Sequence, residues 1–254
     1  MAEAGHVSSL RGMSQPKSTR RGAIHGLLVV GGLWAVAGPV LSQSRETRRD
    51  GPWLITKTDY PPRLKARLVA LEQGWTATDA VLQKSDIREI RDYRTFLDSK
   101  GKGAKDELAK LELVNTYVNT HVKRVEDYKL YDANDIWSPP VNTLTIGGDC
   151  EDISLVKYWG LRRLGFAAED LFLIFGISTF KTPPEGHAVL GARLANKQIY
   201  ILDILETSVI PGNNLTHFEP AYGINTIGFW QVDYADRKDG DAWRMQFQAN
   251  ALGG

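Results

Sequence analysis

Two kinds of hydrophobic spacing follow one another along this chain, and their order limits the fold more than any other feature. Up to about residue 164 apolar side chains recur every three or four positions; from residue 171 they run in short β-branched and aromatic stretches. After Pro61-Pro62, Leu64, Leu68, Leu71 and Trp75 share one helical face, and Leu111, Val114, Val118, Val122 and Val125 share another over 106–127. A further buried helix is expected over 150–164, closed by Gly165 as its C-terminal cap. Strands are expected over 171–178, 187–194 and 198–204. Helices first and strands afterwards give no alternation of strand and helix, so the expected class is α+β with an antiparallel sheet. Residues 128–148 show little periodicity and contain Pro139-Pro140 and Gly147-Gly148, so they read as one long loop of the kind that often carries function.

The N-terminus follows a different logic. Residues 1–22 hold Arg11, Lys17, Arg20 and Arg21 against Glu3 alone, and 27–41 are apolar but broken by Gly31, Gly32, Gly38 and Pro39. A basic region, a short apolar run and a small-residue exit at Val40-Leu41-Ser42 form the pattern of a secretory signal. The apolar run is shorter than the ~20 residues of a spanning helix. The expected division is a signal peptide at 1–42, an N-terminal extension with a helical segment at 43–104, and the core at 105–254. Export makes the single cysteine, Cys150, notable. It excludes an internal disulfide and a cysteine-based zinc site, and a spare thiol in an oxidising compartment is a liability unless buried or used. Lys plus Arg number 31 against 30 Asp plus Glu, which leaves no basic field for nucleic acid.

The thiol lies in the run Gly147-Gly148-Asp149-Cys150-Glu151-Asp152. Asp149 is a natural N-cap, with Asp152 three residues on to complete a capping arrangement. Cys150 is then the first helical residue, where free N–H groups and the helix dipole favour a thiolate and can hold an oxyanion. Three neighbouring carboxylates oppose that ionisation. A divalent cation held by Asp149, Glu151 and Asp152 removes the conflict, and an all-oxygen ligand set suits calcium better than zinc. Loop carbonyls and Asp132, Asn134 or Asp135 are the further donors such a site needs; capping alone is the other account of the acids.

Beyond the signal there are three histidines. His121 belongs on a helix surface and His217 in the polar loop 212–219. His187 opens a strand beside the Pro183-Pro184-Glu185-Gly186 loop, where a side chain can point at a cleft. Asp203 is an acid inside the apolar run Ile199–Ile204, which is costly unless it is paired. It serves either a backbone group or the imidazole of His187, whose tautomer it would then set. A two-residue turn at Asn196-Lys197 would put the two on opposite sheet faces. Their pairing therefore requires a three-residue loop, centred on Ala195 for direct facing, or a bulge.

In order and local motif the chain resembles the bacterial transglutaminase-like cysteine proteinases, in particular their periplasmic adhesin-releasing members. The resemblance is carried by Asn115-Thr116-Tyr117-Val118-Asn119, Asp135-Ile136-Trp137-Ser138-Pro139-Pro140, Gly148-Asp149-Cys150-Glu151-Asp152, Lys157-Tyr158, Leu164-Gly165, His187-Ala188-Val189-Leu190, Leu202-Asp203 and Tyr222-Gly223-Ile224-Asn225. It implies a papain-like or transglutaminase-like fold, a helical part with the catalytic cysteine at a helix start packed on an antiparallel sheet. It implies Cys150 as nucleophile, His187 as general base and acid, Asp203 as the orienting acid, and a calcium ion at Asp149, Glu151 and Asp152. It further implies a periplasmic location, a large surface adhesin as substrate with release of cells from a biofilm, and an inner-membrane receptor for cyclic di-GMP as regulator. Two departures stand out. Ile153 occupies a place where an aromatic residue is common, and the run Trp137-Ser138-Pro139-Pro140 differs in a segment expected to line the substrate cleft. The oxyanion donors are then the Cys150 N–H with the Trp137 indole as candidate partner. Acyl transfer to an amine, as in a transglutaminase, and a non-catalytic calcium-dependent binding module are the alternative readings.

Overall fold

The computed structural model describes residues 54–58, 64, 79–133, 135–225 and 227–232. The expected signal peptide, most of the first expected helix and Asn134 lie outside them. The chain divides into units 1–46 and 47–254, and every described residue belongs to the second. Among the described residues no helix is long and apolar enough to cross a membrane.

Among the described residues, 79–84 are helical, and the helices that follow are α1 (Arg88–Phe96), α2 (Glu107–His121), α3 (Asp127–Leu130), α4 (Pro140–Ile146) and α5 (Cys150–Arg163). The strands are β1 (Leu54–Thr58), β2 (Leu171–Ser178), β3 (Glu185–Arg193), β4 (Ile199–Leu202), β5 (Ile210–Pro211), β6 (Phe218–Asn225) and β7 (Gly228–Val232). All seven form one sheet in the order β1-β7-β6-β2-β3-β4-β5, and every pairing is antiparallel. The class is α+β, as the order of spacings implies.

α2 starts where expected, with the Asp106 side chain accepting from the Ala109 N–H at 2.8 Å. It stops at His121, short of residue 127, so Val125 does not join the apolar stripe. The cause is a competing partner. Val125 N–H donates to the Gly148 carbonyl at 2.9 Å, and Gly148 N–H to the Lys123 carbonyl at 3.2 Å. These bonds draw the chain after α2 out into an extended segment against the start of α5. Gly147 has φ +95°, and a Cβ there would lie 2.7 Å from the Lys123 carbonyl oxygen, so this join needs glycine.

The long loop expected at 128–148 is corrected too: it holds most of α3 and all of α4. Pro140 sits at the start of α4, a place where its missing N–H costs nothing. α5 ends as foreseen. Gly165 has φ +95°, its N–H bonds to the Arg162 carbonyl, and Phe166 N–H reaches back to Leu161, the Schellman pattern. β5, β6, β7 and β1 were not evident from spacing. β6 carries Pro220 and Gly223, which read locally as turn residues, and its pairing with β2 shifts register at Phe175–Gly176.

The main core joins Leu82, Ile90, Tyr93 and Leu97 to Leu111, Val114, Val118, Ile153, Val156 and Trp159, and then to Leu171, Leu190, Ala192 and Leu202 of the sheet. Part of the 43–104 stretch therefore shares its packing with α2, α5 and the strands. A second cluster of Phe172, Ile174, Val189, Ile199 and Ile201 closes against Leu215 and Phe218. The start of α5 is thus wedged between a packed sheet and the α2–α3 segment, and the position of Cys150 is set from both sides.

Candidate active site

β3 and β4 pair with Leu190 opposite Leu202 and Arg193 opposite Ile199. Leu194 N–H bonds to the Gln198 carbonyl at 3.0 Å, which leaves a three-residue loop, Ala195 to Lys197, with Lys197 at φ +67°. The turn is centred on Asn196, one residue beyond the expected centre. The odd count puts His187 and Asp203 on the same face, displaced diagonally rather than directly opposed.

The two side chains meet. His187 Nε2 lies 2.7 Å from Asp203 Oδ1, with both side chains almost fully enclosed. The same oxygen accepts the Leu205 N–H at 2.9 Å. Burial alone would push the Asp203 carboxyl up. The hydrogen bond and charge of His187, the Leu205 N–H and the Lys157 charge outweigh it and hold the group below its ordinary value. Asp203 is therefore a carboxylate and can only accept, so in the neutral imidazole Nε2 carries the proton and Nδ1 the lone pair. Nδ1 is buried with no protein partner. The Phe218 ring stands edge-on to the imidazole at 5.8 Å.

Cys150 is the first residue of α5, and its thiol lies 3.3 Å from Glu151 Oε2. Burial first, then the charges of Glu151 and Asp149, push the thiol well above its ordinary value; the N–H of Ala188, the residue after His187, pulls the other way. The thiol thus faces the strand that carries the imidazole.

Asp149 does occupy the N-cap position, yet its side chain makes no capping bond. Asp152 gives one oxygen to the Ser138 N–H at 2.6 Å. The carboxylates converge elsewhere. One oxygen each from Asp127, Asp149 and Asp152 lie within 4.8 Å of one another, and Asp149 forms a second such group with Glu151 and the thiol. Asp127 and Asp152 are buried, and Asp127 Oδ1, Asp149 Oδ1 and Asp152 Oδ2 have no hydrogen-bond partner. The other oxygen of Asp127 accepts the Ile136 N–H. Burial, then Glu151, Asp127 and Glu126, pushes Asp149 up to about 9, and burial followed by Asp149 and Asp127 takes Asp152 to about 8. Glu151 is raised as well, chiefly by burial.

Asp132 and Asp135, expected as further donors, are exposed, whereas Asp127 joins the cluster from the start of α3. Its sequence signal is faint: one acid in a stretch that reads as the end of a helix. Trp137 stacks on Phe175 at 5.5 Å between ring centres. His121 is exposed and stacked on Tyr117, as suits a helix surface. His217 stacks on Phe180.

A family model described as bacterial transglutaminase-like cysteine proteinase matches residues 92–218, half of the chain. No curated protein matches it. Among solved structures it is similar to calcium-bound LapG of Legionella pneumophila, at 23% identity and a TM-score of 0.51, covering 72% of this chain and 98% of that one. The EGTA-treated form of the same protein matches at 22% identity and a TM-score of 0.50, over 72% and 97%.

Proposed function

Because the chain belongs to the bacterial transglutaminase-like cysteine proteinases and is a cysteine peptidase, we propose that it hydrolyses peptide bonds of an exported protein through Cys150, His187 and Asp203, with calcium held beside the nucleophile. The observation that carries the triad is the enclosed His187–Asp203 bond, which leaves the Nδ1 lone pair free. In this reading Nδ1 takes the Cys150 proton and Sγ attacks the scissile carbonyl carbon. The resulting imidazolium returns its proton to the leaving amine, which departs as the C–N bond breaks and a thioester remains. Water, deprotonated by the same nitrogen, then cleaves the thioester and restores the thiol. The N–H of Cys150 at the start of α5 stabilises the oxyanion, with the Trp137 indole as the second candidate donor.

Calcium is proposed on the chemistry of the donors. Asp127, Asp149 and Asp152 each bring one carboxylate oxygen within 4.8 Å of the others, and each has one buried oxygen without a partner, an arrangement that is costly unless a cation meets it. Asp127, Asp149 and Asp152 would hold it, with Glu151 able to join through Asp149. When bound, the ion supplies a positive charge that offsets the acids opposing the thiolate. Export to the periplasm and a cell-surface protein as substrate complete the proposal. They rest on the signal pattern of residues 1–42 and on the family.

The test needs no substrate, because one cysteine makes thiol alkylation specific to Cys150. With calcium, iodoacetamide should label the wild type rapidly at pH 6, and His187→Ala should slow this about tenfold or more. Labelling that tracks an ordinary thiol near pH ~8.5 in both proteins would refute the triad. With chelator, fast labelling should be lost.

A further inference from the structure

Lys157 lies two turns beyond Cys150 on α5 and has no exposed surface. Its Nζ donates to the Leu202 carbonyl at 3.5 Å, a long bond for a group with three protons to place. A lysine enclosed this completely and bonded this thinly destabilises a fold, and a methionine of similar length would cost less. The packing does not call for an ammonium there.

Its surroundings do. Leu202 is the last residue of β4 and Asp203 follows it. Asp203, at the end of β4, bonds to His187 on β3, and the neutral amides of Asn115 and Asn119 on α2 bond to carbonyls of the same segment. Of these, Asp203 is the charge that acts on the lysine. Asn119 donates to the carbonyls of Asp203 at 2.8 Å and Glu206 at 3.0 Å, and Asn115 donates to Glu206 at 3.1 Å. The segment that carries Asp203 is therefore seated by α2 and α5 together.

We propose that Lys157 is a positioning residue for His187, acting through Asp203: its ammonium seats the Leu202–Asp203 backbone and supplies a countercharge to the carboxylate. This rests on the triad reading above. With the thiolate–imidazolium pair formed, Lys157, Asp203, His187 and Cys150 carry charges of alternating sign that sum to zero. Without Lys157 the same enclosed row carries a net negative charge, so the imidazole binds its proton more tightly. Burial lowers the Lys157 pKa to about 7 against the attraction of Asp203, so its charge is in place in weakly acidic solution.

The experiment is NMR titration of the calcium-loaded full chain, following the His187 ring nitrogens, assigned with His187→Ala, and the Lys157 Cε. Lys157→Met and Lys157→Gln should each raise the His187 midpoint by about half a unit to one unit, with an equal or higher melting temperature. A merely structural lysine would lower the melting temperature and leave that midpoint alone, and an unmoved midpoint in folded variants overturns the proposal. Asp203→Asn leaves the lysine in place and reads both levels. A lower Lys157 midpoint supports the pairing and an unchanged one overturns it, whether or not the lysine variants fold. An unchanged His187 midpoint in Asp203→Asn would instead overturn the triad reading itself.

Discussion

Asp127 shows what a single side chain can hide. Cys150, His187 and Asp203 are conspicuous in the sequence, as a thiol at a helix start, an imidazole at a strand mouth and an acid in an apolar run, and the structure brings the last two together. Asp127 has no such setting in the sequence, since its neighbours suit a helix end. It reaches Asp149 and Asp152 because the bonds from Val125 N–H to the Gly148 carbonyl and from Gly148 N–H to the Lys123 carbonyl turn the chain. Asp127→Asn should weaken calcium binding about tenfold or more, read as loss of the calcium-induced rise in melting temperature. Asp135→Asn, an exposed residue outside the cluster, should leave that rise unchanged.

At the scale of elements, α5 was read almost to the residue. Its first residue, its burial and its terminal glycine agree, although Asp149 at the N-cap position makes no capping bond with its side chain. α2 was overextended because pairing with the Gly147–Gly148 segment is non-local and leaves no periodic trace. The terminal strands were missed for the same reason, as β6 and β7 become strands only by lying against β2 and one another. α5 also sets a strict packing limit at Gly160. A methyl group there would overlap Tyr93 Oη, and Tyr93 is fully buried and donates to the Val156 carbonyl at 3.3 Å. Gly160→Ala should lower stability by about 1–3 kcal/mol despite alanine's better helix propensity, as measured by denaturant unfolding.

For the molecule as a whole, the acids near Cys150 make stability depend on pH and on metal together. In the metal-free chain Asp149 titrates at about 9 and Asp152 at about 8, against ~3.9 when unfolded. The folded state then binds more protons than the unfolded one, so stability falls as pH rises between those limits. Lys157, at about 7 against ~10.4 unfolded, has the opposite sign but acts only above about 7. Melting temperature in chelator should therefore drop from pH 5 to pH 7, and calcium should flatten or reverse that slope. A metal-free chain equally stable at both values would count against the raised carboxyls.

β1 and β7 are neighbours, with Leu54 opposite Val232, on the half of the sheet away from the β3–β4 loop. A short linker can join these two strands, and the chain can be opened at Asn196, so that His187 falls near the new C-terminus and Asp203 near the new N-terminus. Such a circular permutant would keep its imidazole–carboxylate bond only if packing by α2 and α5 holds the pair without the hairpin that now connects them. Retained fast labelling of Cys150 at pH 6 would mean that the reactive centre is assembled by the surrounding layers, with chain continuity contributing little.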